Sequence, residues 1–173
     1  MGANKIYVKP GAAAVFAASS VTGQTVLWTP QNVSAGNGRT SNMWDRGAGA
    51  HPLRYCWRMR TRWAATANAG DQLFIFLIYS DNPTDATQTD CGYAFVDQTY
   101  TNLTGIVYST LGIGFLMSSG LNQPESASGF CDIYARYVAV SAWNGAGSKA
   151  LTNTAGDHIF TLTEMPYEIE QAP

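Results

Sequence analysis

The chain has 173 residues, enough for one domain of ordinary size, and 46% of them are hydrophobic, so a substantial core can form. Charged residues make up 13%, about half the usual share, while aromatics reach 12% alongside 17 Gly; this excludes a disordered chain and a Glu/Lys-rich coiled coil. A net charge of −2 argues against a nucleic-acid coat, and no apolar run approaches the roughly 18 residues of a membrane helix.

Residues 1–36 read as an N-terminal arm with the first strands, packing on the domain or reaching to a neighbour. Ile6–Lys9 and Gln24–Trp28 are the candidate strands there. Between them, Ala12-Ala13-Ala14-Val15-Phe16-Ala17-Ala18 follows Lys5 and Lys9 in the manner of a stubby signal sequence. Pro10-Gly11 breaks the join, and the stretch lies at the short end of the roughly 7–15 residues of a signal core, so cleavage is not expected. Thr40-Ser41-Asn42-Met43-Trp44-Asp45-Arg46-Gly47 reads as a loop, which leaves the Trp44 indole exposed or docked into a partner as an anchor.

From Arg54 the pattern is strictly alternating. In Arg54-Tyr55-Cys56-Trp57-Arg58-Met59-Arg60-Thr61-Arg62-Trp63 the even positions carry arginines and Cys56, the odd ones Tyr, Trp, Met, Thr and Trp. Successive strand side chains point to opposite faces, so this is an aromatic core face backed by an arginine ladder. Same-face neighbours lie about 6.6 Å apart, close enough that four bare guanidinium groups call for anions or water beside them. Leu73-Phe74-Ile75-Phe76-Leu77-Ile78-Tyr79 is apolar at every position and predicts a central strand buried on both faces. Turn residues bound it on both sides, Ala69-Gly70-Asp71 and Ser80-Asp81-Asn82-Pro83.

Further strands are predicted at Tyr93–Val96, Ile113–Met117, Gly129–Tyr134, Ala135–Trp143 and His158–Thr163, with a turn at Asn144-Gly145-Ala146-Gly147. The acidic, Pro-broken tail Glu164-Met165-Pro166-Tyr167-Glu168-Ile169-Glu170 predicts an extended C-terminal arm. Eight or nine strands without a convincing long helix imply an all-β fold: an antiparallel β-sandwich of jelly-roll type over residues 37–173, with extended N- and C-terminal arms.

Charge is sorted along the chain. Residues 1–62 hold eight basic residues and one acid, Asp45, for +7; residues 63–173 hold Arg136 and Lys149 against eleven acids, for −9. Opposite charges therefore pair either across the fold or between copies of it. The candidate interaction residues are Arg39, Trp44, Arg46, the ladder Arg54, Arg58, Arg60 and Arg62, and the acidic loop carrying Asp81, Asp85 and Asp90. That loop fails the spacing of a calcium-binding EF-hand and reads as solvated.

Catalytic signals are weak. Two histidines, His51 and His158, lack any metal-binding spacing, and no G-x-S-x-G, phosphate loop or dinucleotide fingerprint occurs. Glu125 and Asp132 flank one strand, with nothing to pair them across a cleft as a glycosidase requires. Cys56, Cys91 and Cys131 read as small buried hydrophobes, with at most one bridge among them. The arginines and aromatics of the ladder lie on opposite faces, which tells against a single-strand nucleic-acid platform. The sequence therefore predicts no enzyme, no cofactor, no metal, no nucleic acid and no membrane partner.

The segments Arg54–Arg58, Ile75–Asp81, Ala135–Asn144 and His158–Glu168 resemble small virion proteins of tailed bacteriophages, and among those the jelly-roll capsid decoration (cement) proteins. The likeness runs from about residue 37 to the end, on soft motifs such as Ala135-Arg136-Tyr137-Val138 before a strand. It implies a non-enzymatic structural protein of the virion, located on the capsid surface. Its partners would be itself, as a homotrimer, and the major capsid protein. The alternative is a carbohydrate- or receptor-binding β-sandwich of a phage fibre or tail, with a host-surface glycan as partner. Exposure of Trp44, Tyr100 or Tyr108 in a shared groove would favour it.

Overall fold

The computed structural model describes residues 5–8, 10–81, 96–102 and 111–170, and among these it has thirteen strands and one turn of 3-10 helix. Asp85, Asp90, Cys91, Tyr108 and most of the predicted strand Tyr93–Val96 lie outside the described residues. The strands are β1 (Lys5–Val8), β2 (Ala13–Ala17), β3 (Val26–Leu27), β4 (Asn37–Thr40), β5 (Trp44–Asp45), β6 (Arg54–Thr61) and β7 (Gln72–Ser80). They continue with β8 (Gln98–Tyr100), β9 (Leu111–Met117), β10 (Glu125–Asp132), β11 (Tyr137–Asn144), β12 (Ile159–Glu164) and β13 (Tyr167–Glu170).

Two sheets face each other. One runs β10-β6-β12-β2-β3; the other runs β8-β4-β11-β7-β9, with β5 also pairing β11. From β9 onward the chain changes sheet at each step to β10, β11 and β12, and every pairing but the short parallel β2–β3 contact is antiparallel. This is the predicted antiparallel sandwich of jelly-roll type. Sheet switching puts one face of each strand into a shared core, which is what the two-residue period of the sequence requires.

The ladder strand obeys that period. Tyr55, Trp57, Met59 and Thr61 are buried, Arg54, Arg58 and Arg60 exposed, and Cys56 half-buried. Across the core, Leu73, Ile75 and Leu77 of β7 and Val138, Val140 and Ala142 of β11 point inward from the second sheet. Phe76, Ile78, Tyr137, Ala139 and Ser141 on that sheet's other face are buried as well. Leu73–Tyr79 is thus the doubly buried central strand its composition predicts.

Three local differences from the sequence reading have physical causes. The signal-like stretch is β2, where Ala14 and Phe16 enter the core against β12. Trp44 opens a two-residue strand on β11 and meets Phe16 and Tyr55 edge-on, with ring centres 6.3 Å and 6.1 Å away. β10 begins at Glu125, four residues before the predicted Gly129, because alternating Ser126 and Ser128 continue its pairing with β6. The segment 1–36 contributes β1, β2 and β3, and β1 pairs β13 in a separate two-stranded ribbon. The predicted N- and C-terminal arms are joined to each other.

Candidate functional site

The ladder's exposed side belongs to a broad surface, the outer face of the five-stranded sheet. Register places Ser126 beside Arg60, Ser128 beside Arg58 and Phe130 beside Cys56 on one flank. On the other flank Thr161 lies beside Arg58 and Ile159 beside Arg60. Arg58, Arg60, Ser126, Ser128, Ile159 and Thr161 line an open groove of about 670 Å³. The arginines differ along it. Arg54 lies over the Phe130 ring at 5.2 Å, an exposed cation–π contact. Arg62 spends its donors on Asn122, with Nε to Oδ1 at 3.2 Å and Nη2 to Oδ1 at 3.1 Å. Arg58 and Arg60 are exposed and make no ion pair or hydrogen bond with the described residues. Serine and threonine flanks are short and neutral, so the two guanidinium groups stand clear of the sheet.

The other predicted arginines serve the chain itself. Arg39 donates from Nε to Asp97 Oδ1 at 2.7 Å and from Nη1 to Thr99 at 3.0 Å. Burial opposes ionisation of Asp97, but the Arg39 bond and two bonds from Thr29 outweigh it and hold the carboxyl below its usual range. Arg46 is a fastener at one end of the sandwich. It lies 5.0 Å over the Tyr55 ring, donates to the Tyr55 hydroxyl at 3.0 Å, and reaches the carbonyls of Pro52, Ile133 and Ala135. One side chain thereby closes two loops over the core edge.

Asp81 accepts the backbone N–H of Arg136 at 3.0 Å. Arg136 itself grips Asp45 with two bonds of 2.8 Å, which pulls the Asp45 carboxyl below its usual range. The sequence left this pair unmarked, because 91 positions separate its members. Phe130 was missed as well; the Ser126, Ser128, Phe130 alternation would have placed it on the arginine side.

Both histidines are committed to structure. His51 sits in the 46–53 loop with Nε2 3.0 Å from the Gly47 carbonyl and Nδ1 4.0 Å from Glu164. His158 is fully buried. Its Nε2 lies 3.0 Å from the Thr152 carbonyl, which can only accept, so Nε2 carries the proton and Nδ1 accepts from the Thr61 hydroxyl at 2.7 Å. Burial pushes its pKa down, and the ring is neutral. Thr61 is as deeply buried as its partner, so this hydroxyl–imidazole contact has no route to a substrate. Among the described residues no group of three or more His, Cys, Asp or Glu is placed to hold a metal ion. Trp44 packs inward, and Tyr100 is buried with its ring stacked on Trp143 at 5.5 Å. Neither forms a sugar platform.

No protein family and no curated protein matches the sequence. Among solved structures the chain is similar to murine APRIL in its crystal structure at pH 8.5. The TM-score is 0.39 and the identity 8%, over 94% of this chain and 99% of that one. At that distance the fold rests on the sheet topology above, and the likeness carries nothing about function.

Proposed function

We propose that this chain is a non-enzymatic structural protein of a tailed-phage virion, a capsid decoration protein that forms a homotrimer on the head and braces the major capsid protein. The observation that carries this reading is the outer face of the five-stranded sheet. Arg58 and Arg60 are displayed there without an anionic partner among the described residues, while Arg39, Arg46 and Arg136 are satisfied internally. A sheet face that displays two such arginines among serine and threonine side chains has the form of an assembly surface, where many weak contacts at fixed spacing add up. The resemblance of Ile75–Asp81, Ala135–Asn144 and His158–Glu168 to decoration proteins supports the same reading. The inward packing of Trp44 and Tyr100 withdraws support from the glycan-binding alternative.

The test is mass in solution by light scattering across protein concentration, followed by reconstruction of a particle carrying the chain. A trimer at low salt that occupies a fixed position on the head is the expected result. A monomer at every concentration that is absent from the shell overturns the proposal.

A further inference from the structure

The described residues lining the groove on the outer face of the five-stranded sheet include two arginines and three hydroxyl side chains, but no Asp or Glu. Register sets Ser128 and Thr161 on either side of Arg58, and Ser126 beside Arg60. Both arginines and both serines are exposed, and Thr161 is half-buried. Among the described residues none of these five side chains has an ion-pair or hydrogen-bond partner. The two acids of β10 stand off the groove. Glu125 lies opposite inward-facing Thr61 and accepts the Ser119 backbone N–H at 3.1 Å. Asp132 lies opposite Arg54, at the far end of β6.

Such a face gathers hydrogen-bond donors around two fixed positive charges and supplies them no anion. Guanidinium forks match oxyanions, and one bidentate fork already takes both oxygens of a planar carboxylate. A tetrahedral group has oxygens left for a second fork. Two forks donating to one such group at about 2.8 Å bring their carbons roughly 6–8 Å apart, which spans the roughly 6.6 Å between same-face strand neighbours. Serine and threonine on the adjoining strands, about 4.8 Å to either side, add neutral donors.

We infer that Arg58 and Arg60 clamp one tetrahedral oxyanion, a phosphate or sulfate group, with Ser126, Ser128 and Thr161 donating to its remaining oxygens. The site is built from one protomer and goes beyond the assembly role proposed above. The groove is open, so it admits the free ion or the same group carried as an ester on a saccharide. The aromatic residues of β6 face the core and give a nucleic acid no ring to stack on.

Calorimetric titration of the whole chain with inorganic sulfate and phosphate, in dilute chloride buffer, tests the site. Saturable binding of one anion per protomer, tighter than chloride, is expected. Arg58→Gln and Arg60→Gln should each weaken it by about tenfold or more, and Ser128→Ala by about threefold. Lys149→Gln removes the same charge outside the groove's lining and should change it by less than about twofold. Equal melting temperatures establish that the variants are folded, and each arginine variant tests the clamp without the other. Dextran sulfate set against unmodified dextran separates the sources. Tighter binding of the sulfated polymer, lost in the two arginine variants, supports the site and puts the group on a saccharide; binding of the inorganic ions alone supports it as a site for a free anion. No saturable binding beyond that of chloride, or equal losses in Arg58→Gln, Arg60→Gln and Lys149→Gln, overturns the site and leaves the oligomer to its own test.

Discussion

Arg39 and Asp97 bind each other at 2.7 Å, Nε to Oδ1, and Asp97 also accepts the Thr29 backbone N–H at 3.0 Å. One carboxylate thereby joins β4 and the start of β8 to the chain leaving β3. The Asp97 side chain is 7% exposed and that of Arg39 22%, so removing the acid strands a poorly hydrated cation. Asp97→Ala is expected to cost about 2–4 kcal/mol in urea unfolding. The pKa of Asp97 is depressed in the fold, so its contribution is present above the unfolded value of about 4 and is lost only as pH falls through the lower folded value. Wild type and variant should therefore converge in stability in strong acid.

His158 acts in a different window. Its folded pKa lies below the ordinary value near 6.5, so the unfolded chain takes up the proton first as the solution is acidified. Stability is full above that value and declines as pH falls from about 7 toward the folded pKa. His158→Gln keeps a donor for the Thr152 carbonyl and loses the acceptor of the Thr61 hydroxyl. The expected outcome is a loss of about 1–3 kcal/mol at pH 7 and a flatter stability profile between pH 7 and 5. A variant whose profile matches wild type would remove His158 as the titrating group.

Trp57 lies in a slot made by two glycines. A methyl group at Gly129 would fall 2.8 Å from the indole Nε1, and one at Gly114 2.6 Å from Cζ2. Gly129→Ala is expected to cost about 1–3 kcal/mol through overpacking. Gly147→Ala, with nothing within 4 Å of the added carbon, should stay within about 0.5 kcal/mol of wild type. Equal unfolding midpoints for the two variants would show that the indole yields freely. The same slot leaves the Trp57 Nε1 without an acceptor among the described residues, a cost the ring's burial has to offset.

Alternation made β6 and β7 legible: Tyr55, Trp57 and Met59 declare one buried face, and Leu73–Tyr79 declares two. It failed where strands are short or small-sided. Ala13–Ala17 has too little side chain to show a period, and the two residues of β5 cannot show one at all. Ser126 and Ser128 conceal half of β10 because serine is as much at home in a turn as on an exposed strand face. At the candidate site, the direction of Arg58 and Arg60 followed from parity. That Arg39 and Arg46 spend themselves inside the fold did not, since their acceptors are Asp97 and the carbonyls of Ile133 and Ala135, distant in sequence. Asn144 is likewise silent in sequence. It reads as a turn residue, yet it is fully buried and donates to the Val33 and Lys149 carbonyls while accepting from the Trp63 indole and the Ala146 N–H.

Cys56 and Cys131 are neighbours that cannot join. Register sets Cys131 opposite Tyr55, on the inward face of the sheet, and Cys56 opposite Phe130, on the outward face. A bridge needs Cβ atoms about 3.8 Å apart with converging directions, which side chains on opposite faces of paired strands do not offer. Burial pushes the Cys131 thiol up to about 12, so almost none of it is thiolate near neutral pH. Native protein at pH 8 should leave Cys131 unmodified by an aromatic disulfide reagent, and unfolding in urea should expose it to rapid reaction. Peptide mapping without reductant should recover Cys56 and Cys131 unlinked. Recovery of a Cys56–Cys131 cross-linked peptide from folded protein would mean that β10 pairs with β6 one residue out of the register described, and with it would go the placement of Ser126 and Ser128 beside Arg60 and Arg58.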